Sequence, residues 1–108
     1  MRQGEVYWCD FPPPDKRRPV VILTRNSALS FLTGITVAQL TTRIREIPSH
    51  VILAPEQDGV FAECAVNLDN LQTIHKDSLD EFVTGLSQTR MREIREAIEF
   101  ALGFDALR

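Results

Sequence analysis

Apolar residues recur at one period through most of this chain and at another in its tail, and that change constrains the fold more than any other feature. From Gly4 to Phe11 the stretch GEVYWCDF is rich in strand-forming side chains. Pro12-Pro13-Pro14 ends it, because proline has no amide proton with which to continue a ladder. Val20 to Thr24 reads as a buried second strand, Gly34 to Leu40 as a third, and Ser49 to Ala54, introduced by Pro48, as a fourth. Asn26 to Leu32 suits a short helical turn over the sheet. Asp58-Gly59 is a turn pair, and Glu63 to Val66 with Gln72 to Ile74 supply one or two further short strands. In the tail, Met91, Ile94, Ile98, Ala101 and Leu102 fall at helical spacing with charges opposite them. Ser87 is placed to cap that helix and Gly103 to stop it. Ser78 and Glu81 have the spacing of a capping box, which predicts a second short helix near 78–83. The expected class is mainly β with some α: a compact antiparallel barrel or curled sheet carrying short helices and a C-terminal amphipathic helix.

The 108 residues suffice for one domain, 1–108, with a single modest core. Apolar residues make up 44% and no apolar run approaches the ~20 residues of a membrane span. The opening MRQGEVYW has no apolar stretch of signal-peptide length, so a cytoplasmic location is expected. The two cysteines, Cys9 and Cys64, and the two histidines show neither CxxC nor HxxxH spacing. No zinc site or other metal cofactor is expected, and both thiols are read as reduced. The net charge of −3 hides a split. Residues 1–53 hold seven Lys/Arg against four Asp/Glu, a net +3, while residues 54–108 hold five against eleven, a net −6. Such asymmetry fits a polyanion-binding surface beside a solubilising one, and equally an acidic surface helix.

The basic half concentrates its cations at strand ends. Lys16-Arg17-Arg18 precedes the apolar run Pro19-Val20-Val21-Ile22, and Thr41-Thr42-Arg43-Ile44-Arg45 follows the third strand. Arginine suits the charge that grows on a phosphate under attack, since its planar fork grips two oxygens and stays charged at any working pH. A hydroxyl beside it donates to the phosphate or positions the attacking group. Arg18 and Thr41 fit those two roles if their strands are neighbours. Taken alone, Arg18 is a surface cation at a strand start and Thr41 a β-former. Arg43 and Arg45 serve phosphate contact or solvation equally well. His50 and His75 are read as structural, and Tyr7, Trp8 and Phe31 as core aromatics in preference to stacking platforms. No P-loop, dinucleotide fingerprint, nucleophile elbow or metal-ligand cluster occurs.

Four segments in order resemble the MazF/PemK family of toxin endoribonucleases. Gly4-Glu5-Val6-Tyr7-Trp8-Cys9-Asp10-Phe11 is similar to its first strand and Arg18-Pro19-Val20-Val21-Ile22-Leu23 to its second. Val37-Ala38-Gln39-Leu40-Thr41 with Ile47-Pro48-Ser49-His50-Val51 resembles the third and fourth strands, and Leu68-Asp69-Asn70-Leu71-Gln72-Thr73-Ile74 the acid–amide segment. The resemblance implies an SH3-like barrel, a homodimer, metal-independent cutting of single-stranded RNA, and a cognate antitoxin that blocks the site. It also implies Arg18 and Thr41 as catalytic residues, with Lys16, Arg17, Arg25, Thr42, Arg43, Arg45, Asp69 and Asn70 binding RNA. Two departures stand out. Many relatives carry a longer first loop whose Gly-Ser-Glu glutamate assists activity; here the loop is Pro12-Pro13-Pro14-Asp15-Lys16-Arg17, Pro13 falls where that glutamate would, and Asp15 is the nearest substitute base. Asn70 stands where many relatives have glutamine. The competing reading is an SH3-like module that holds a peptide or RNA without cutting it. The missing glutamate favours that reading, and retention of both Arg18 and Thr41 argues against it.

Overall fold

In the computed structural model, which describes residues 1–107, six antiparallel strands form one sheet: β1 (Glu5–Asp10), β2 (Arg17–Ile22), β3 (Gly34–Thr41), β4 (His50–Leu53), β5 (Cys64–His75) and β6 (Leu79–Gly85). Their spatial order is β4-β5-β3-β2-β1-β6, with every neighbouring pair antiparallel. A single helical turn, α1 (Pro55–Asp58), follows β4, and the amphipathic α2 (Gln88–Ala101) follows β6. Short 3-10 turns occupy Asn26–Ala28, Lys76–Ser78 and Phe104–Ala106.

The sheet is buried on both faces. On one, Val6, Val21, Ala38, Leu40, Leu53 and Val66 pack beneath Ile94 and Ala97 of α2. On the other, Cys9, Val20, Ile22, Ile35 and Val37 lie under Leu29, which arrives from the segment after β2. Two-sided burial explains why Pro19-Val20-Val21-Ile22 is an unbroken apolar run instead of an alternating one. Burying Ile94 alone contributes about 1.5–3 kcal/mol, and its helix is begun by the Ser87 hydroxyl, which accepts from the Arg90 amide. Gly103, at φ 78°, ends it.

Two sequence expectations change, the helix near 78–83 and the burial of Phe31. The helix predicted near 78–83 is instead β6: Ser78 closes a 3-10 turn, and Leu79 to Gly85 pair with β1, which would otherwise be a bare edge. Local capping spacing yields there to Phe82, Val83 and Thr84, which are strand formers, and to a waiting ladder. The Asp58-Gly59 pair is a turn as read: it ends α1, with Gly59 in the left-handed region. Of the one or two short strands expected between Glu63 and Ile74, the structure has one, β5, which is longer and carries a bulge. From Ala38 to Leu40 β3 takes two steps while β5 takes five, Leu71 to Val66, so β5 carries three surplus residues within Asn67 to Asn70. Of that stretch, Asn67 still pairs with His50 of β4 and Leu68 is buried in the core. Phe31 is also not a core residue: it is 65% exposed.

Candidate nucleic-acid interface

The ladder between β2 and β3 brings the two strand-end residues together. Its last pair is Val20 with Gln39, and the same register continued two residues sets Arg18 opposite Thr41, on one face of the sheet. Arg18 is exposed and, among the described residues, has no carboxylate partner. The Thr41 hydroxyl oxygen accepts from the Arg43 amide at 3.1 Å, which fixes its rotamer and leaves its own proton to donate outward.

Alternation along β2 sends Arg17 to the opposite face. There it bridges Asp80 at 3.2 Å and Glu81 at 3.3 Å, and its guanidinium lies 5.0 Å from the centre of the Trp8 ring. Lys16 and Asp15 sit in the exposed first loop, closed by the Phe11 amide donating to the Lys16 carbonyl and the Asp15 amide to that of Pro12. Lys16 adopts φ 65°, so this short loop is tightly folded where a flexible one would be extended. Arg25 lies beyond Ile22, at the far end of β2 from Arg18.

Beside Thr41 opens a cleft of ≈ 330 Å³, lined by Thr41, Arg43, Arg45, Ile47, His50, Asn67 and Asp69. The bulge in β5 delivers the last two. Ser49, itself buried, donates its hydroxyl to Asp69 Oδ2, and its carbonyl accepts from the Leu68 amide at 3.0 Å. The Asp69 amide donates to Asn67 Oδ1 at 3.0 Å, which leaves the Asn67 amide nitrogen without a partner among the described residues. Arg43 and Arg45 likewise carry no carboxylate partner among the described residues, so two cations face the cleft uncompensated by salt bridges. Thr42 and Asn70 are exposed but do not line it. His50, read from sequence as structural, is in the cleft wall, with Nδ1 buried and unpartnered. Asn67, Ser49 and His50 were not legible as site residues. Their one sequence signal is that they flank the arginine-rich loop and the acid–amide segment.

The remaining candidates for chemistry are poorer. A larger cleft of ≈ 610 Å³ between β4 and α2 is rimmed by Glu93, Glu96 and Asp105, the wrong charge for a polyanion. Burial, aided by Asp10, pushes the Cys9 thiol up to about 11; burial, aided by Asp58 and Glu63, does the same for Cys64. Neither is a thiolate nucleophile at neutral pH. Among the described residues no group of three or more His, Cys, Asp or Glu is placed to hold a metal ion. No helix among them is long and apolar enough to cross a membrane.

Residues 2–102 match the family described as PemK-like, MazF-like toxin of type II toxin–antitoxin system. The chain is 39% identical over 100 residues to the probable endoribonuclease MazF5 of Mycobacterium tuberculosis, covering 93% of this chain and 91% of that protein. Among solved structures it resembles the Mycobacterium tuberculosis toxin MazF-mt6, with a TM-score of 0.83, 31% identity, and coverage of 92% of this chain and 96% of that one. It also resembles an endoribonuclease in complex with its cognate antitoxin from a mycobacterial species, with a TM-score of 0.83, 29% identity and 95% coverage of each. The family match spans nearly the whole chain: the chain belongs to the family of PemK-like, MazF-like toxins of type II toxin–antitoxin systems.

Proposed function

We propose that this MazF-type endoribonuclease cuts single-stranded RNA without a metal, by attack of a ribose 2′-hydroxyl on the adjacent phosphorus. The bond from O2′ to phosphorus forms, the bond from phosphorus to O5′ breaks, and the products are a 2′,3′-cyclic phosphate and a 5′-hydroxyl. The 2′-hydroxyl gives up its proton to a base, for which Asp15, three residues before Arg18, is the nearest carboxylate in the loop, and O5′ gains one on leaving. Arg18 grips the non-bridging oxygens as charge builds on them, and Thr41 donates its free hydroxyl proton to the same phosphate. Arg43 and Arg45 hold the neighbouring backbone, with Lys16 at the loop and Arg25 further along the sheet. The single observation that carries this reading is the register that sets Arg18 opposite Thr41, which itself lines the cleft holding Arg43 and Arg45.

The setting is that of a cytoplasmic toxin working as a homodimer and neutralised by a cognate antitoxin. An acidic segment of such an antitoxin complements the +3 half of the chain. The test is mixed single-stranded RNA in EDTA with the fragment ends mapped, run beside Arg18→Ala. Discrete cuts leaving 5′-hydroxyl ends, lost in the variant while its circular dichroism and melting stay unchanged, are the expected result. Intact RNA that the folded chain nonetheless binds would favour a non-catalytic SH3-like module, the reading that the shortened first loop supports.

A further inference from the structure

The cleft beside Thr41 contains more than a phosphate site requires. A phosphate needs cations and donors, which Thr41, Arg43 and Arg45 supply. Yet the bulge also presents a carboxylate, Asp69, and building a carboxylate beside a phosphate track works against polyanion binding by like-charge repulsion. That carboxylate is also held: the buried Ser49 hydroxyl donates to Oδ2, while Oδ1 has no partner among the described residues. Two residues away the Asn67 side chain is oriented by accepting the Asp69 amide, so its NH₂ group is left to donate. Side by side, the bulge therefore offers a fixed acceptor pair and a fixed donor.

We infer that this bulge reads the Watson–Crick edge of one unstacked base, and that the base is guanine; the inference rests on the RNA-cleaving reading of the same cleft. Single-stranded bases are commonly recognised on that edge. Guanine alone presents two adjacent donors, N1–H and the N2 amino group, followed by an acceptor, O6. A carboxylate accepts from both donors and an amide NH₂ meets O6. Adenine and cytosine each place a ring-nitrogen lone pair against the second carboxylate oxygen. Uracil offers one donor flanked by two carbonyls. Ile47, in the same wall, gives the base an apolar surface to lie against. Asp69 and Asn67 are thus specificity residues, and Ser49 is a positioning residue that acts through Asp69.

The test uses the full chain and a random single-stranded pool of 2′-fluoro RNA, which lacks the attacking hydroxyl and so is bound without being cut. The retained sequences are expected to share one invariant guanine. Inosine at that position removes only the N2 amino donor and is expected to weaken binding about tenfold. Asp69→Asn is expected to lose both the guanine preference and the inosine penalty, while still binding the pool through its arginines. A retained pool with no invariant guanine overturns the assignment, as does inosine that binds like guanine or an Asp69→Asn variant that keeps the preference. The inosine comparison is made on the unaltered protein, so a misfolded variant cannot obscure the answer. Guanine selected by a chain that leaves ordinary RNA intact upholds this readout and removes the nuclease. Ordinary RNA cut at sites with no fixed guanine does the reverse.

Discussion

Asp58 is a buried carboxylate whose side chain is only 4% exposed, and its fate depends on Arg90. The guanidinium grips it with two bonds, Nε to Oδ1 at 2.9 Å and Nη2 to Oδ2 at 3.2 Å, and also reaches Glu93 at 2.8 Å and Gln57 at 3.1 Å. This ties the first turn of α2 to α1. Arg90→Met keeps most of the aliphatic stem and leaves Asp58 with one remaining donor, the Ala54 amide at 2.9 Å. Breaking a buried pair from one side costs about 3–5 kcal/mol. Arg90 is itself 20% exposed, and water entering beside the methionine would reach the carboxylate, so the low end applies. About 3 kcal/mol corresponds to a fall of about 12 °C in Tm at this chain length.

The same substitution reverses a pH dependence. In the native chain burial works to raise the Asp58 pKa, but the hydrogen bond from Arg90, the Ala54 amide and the Arg90 charge together outweigh it, and the net shift is downward. The contribution is therefore full above the ordinary carboxylate range and is lost only as pH falls through the lowered folded value. Without Arg90, burial prevails and the folded pKa rises above the unfolded one. The penalty is then full at neutral pH and is relieved as pH falls toward about 4. Thermal melts of both proteins between about pH 7 and 4 should show the gap in Tm narrowing in acid. A gap under about 4 °C at neutral pH, or one that widens in acid, refutes the argument.

Other outcomes follow from single features. Gly59 has φ 75°, and a Cβ there would stand 2.6 Å from the Thr84 hydroxyl that donates to the Asp58 carbonyl. Gly59→Ala should lower stability by more than the ~1 kcal/mol of backbone strain alone, read by urea unfolding. Removing Arg43 and Arg45 together should reduce the slope of log K against log salt for single-stranded RNA by about 1.4, at roughly 0.7 per phosphate contact; an unchanged slope would place both off the RNA path. Cys9 and Cys64 are buried with thiols near about 11, so a disulfide-exchange reagent at neutral pH should modify them only after denaturant is added. Fast labelling of the native chain would contradict their burial.

Much of this fold is written locally, and where it is not, the reason is identifiable. The first strand, the proline stop and the α2 stripe of Met91, Ile94 and Ile98 are stated by adjacent residues, and the structure follows them. The segment 78–83 carried a local helix signal and lost it to the unpaired edge of β1, a partner some seventy residues upstream that no window contains. The bulge in β5 is a mismatch between two strands and so belongs to neither sequence alone. The site divides the same way. Arg18 and Thr41 were legible as strand-end residues, but their opposition is a matter of register. The resemblance set Arg18 apart from Arg17, but only the alternation of β2 shows that Arg17 engages Asp80, Glu81 and Trp8. Ser49 and Asn67 gave only the signal of their position beside the arginine-rich loop and the acid–amide segment, since their roles are defined by the Asp69 carboxylate.

That bulge has a consequence for which residues can change. The pair Arg18 and Thr41 is held by a ladder, where a one-residue slip would turn both side chains to the wrong face and disrupt two cores. Asn67 is still paired with β4, the Leu68 amide is held by the Ser49 carbonyl and Leu68 is core, but Asp69 and Asn70 are exposed and unpaired with β3. On the reading proposed above, exchanging those two exposed side chains would alter which RNA is attacked and leave the ladder that holds Arg18 and Thr41 in place.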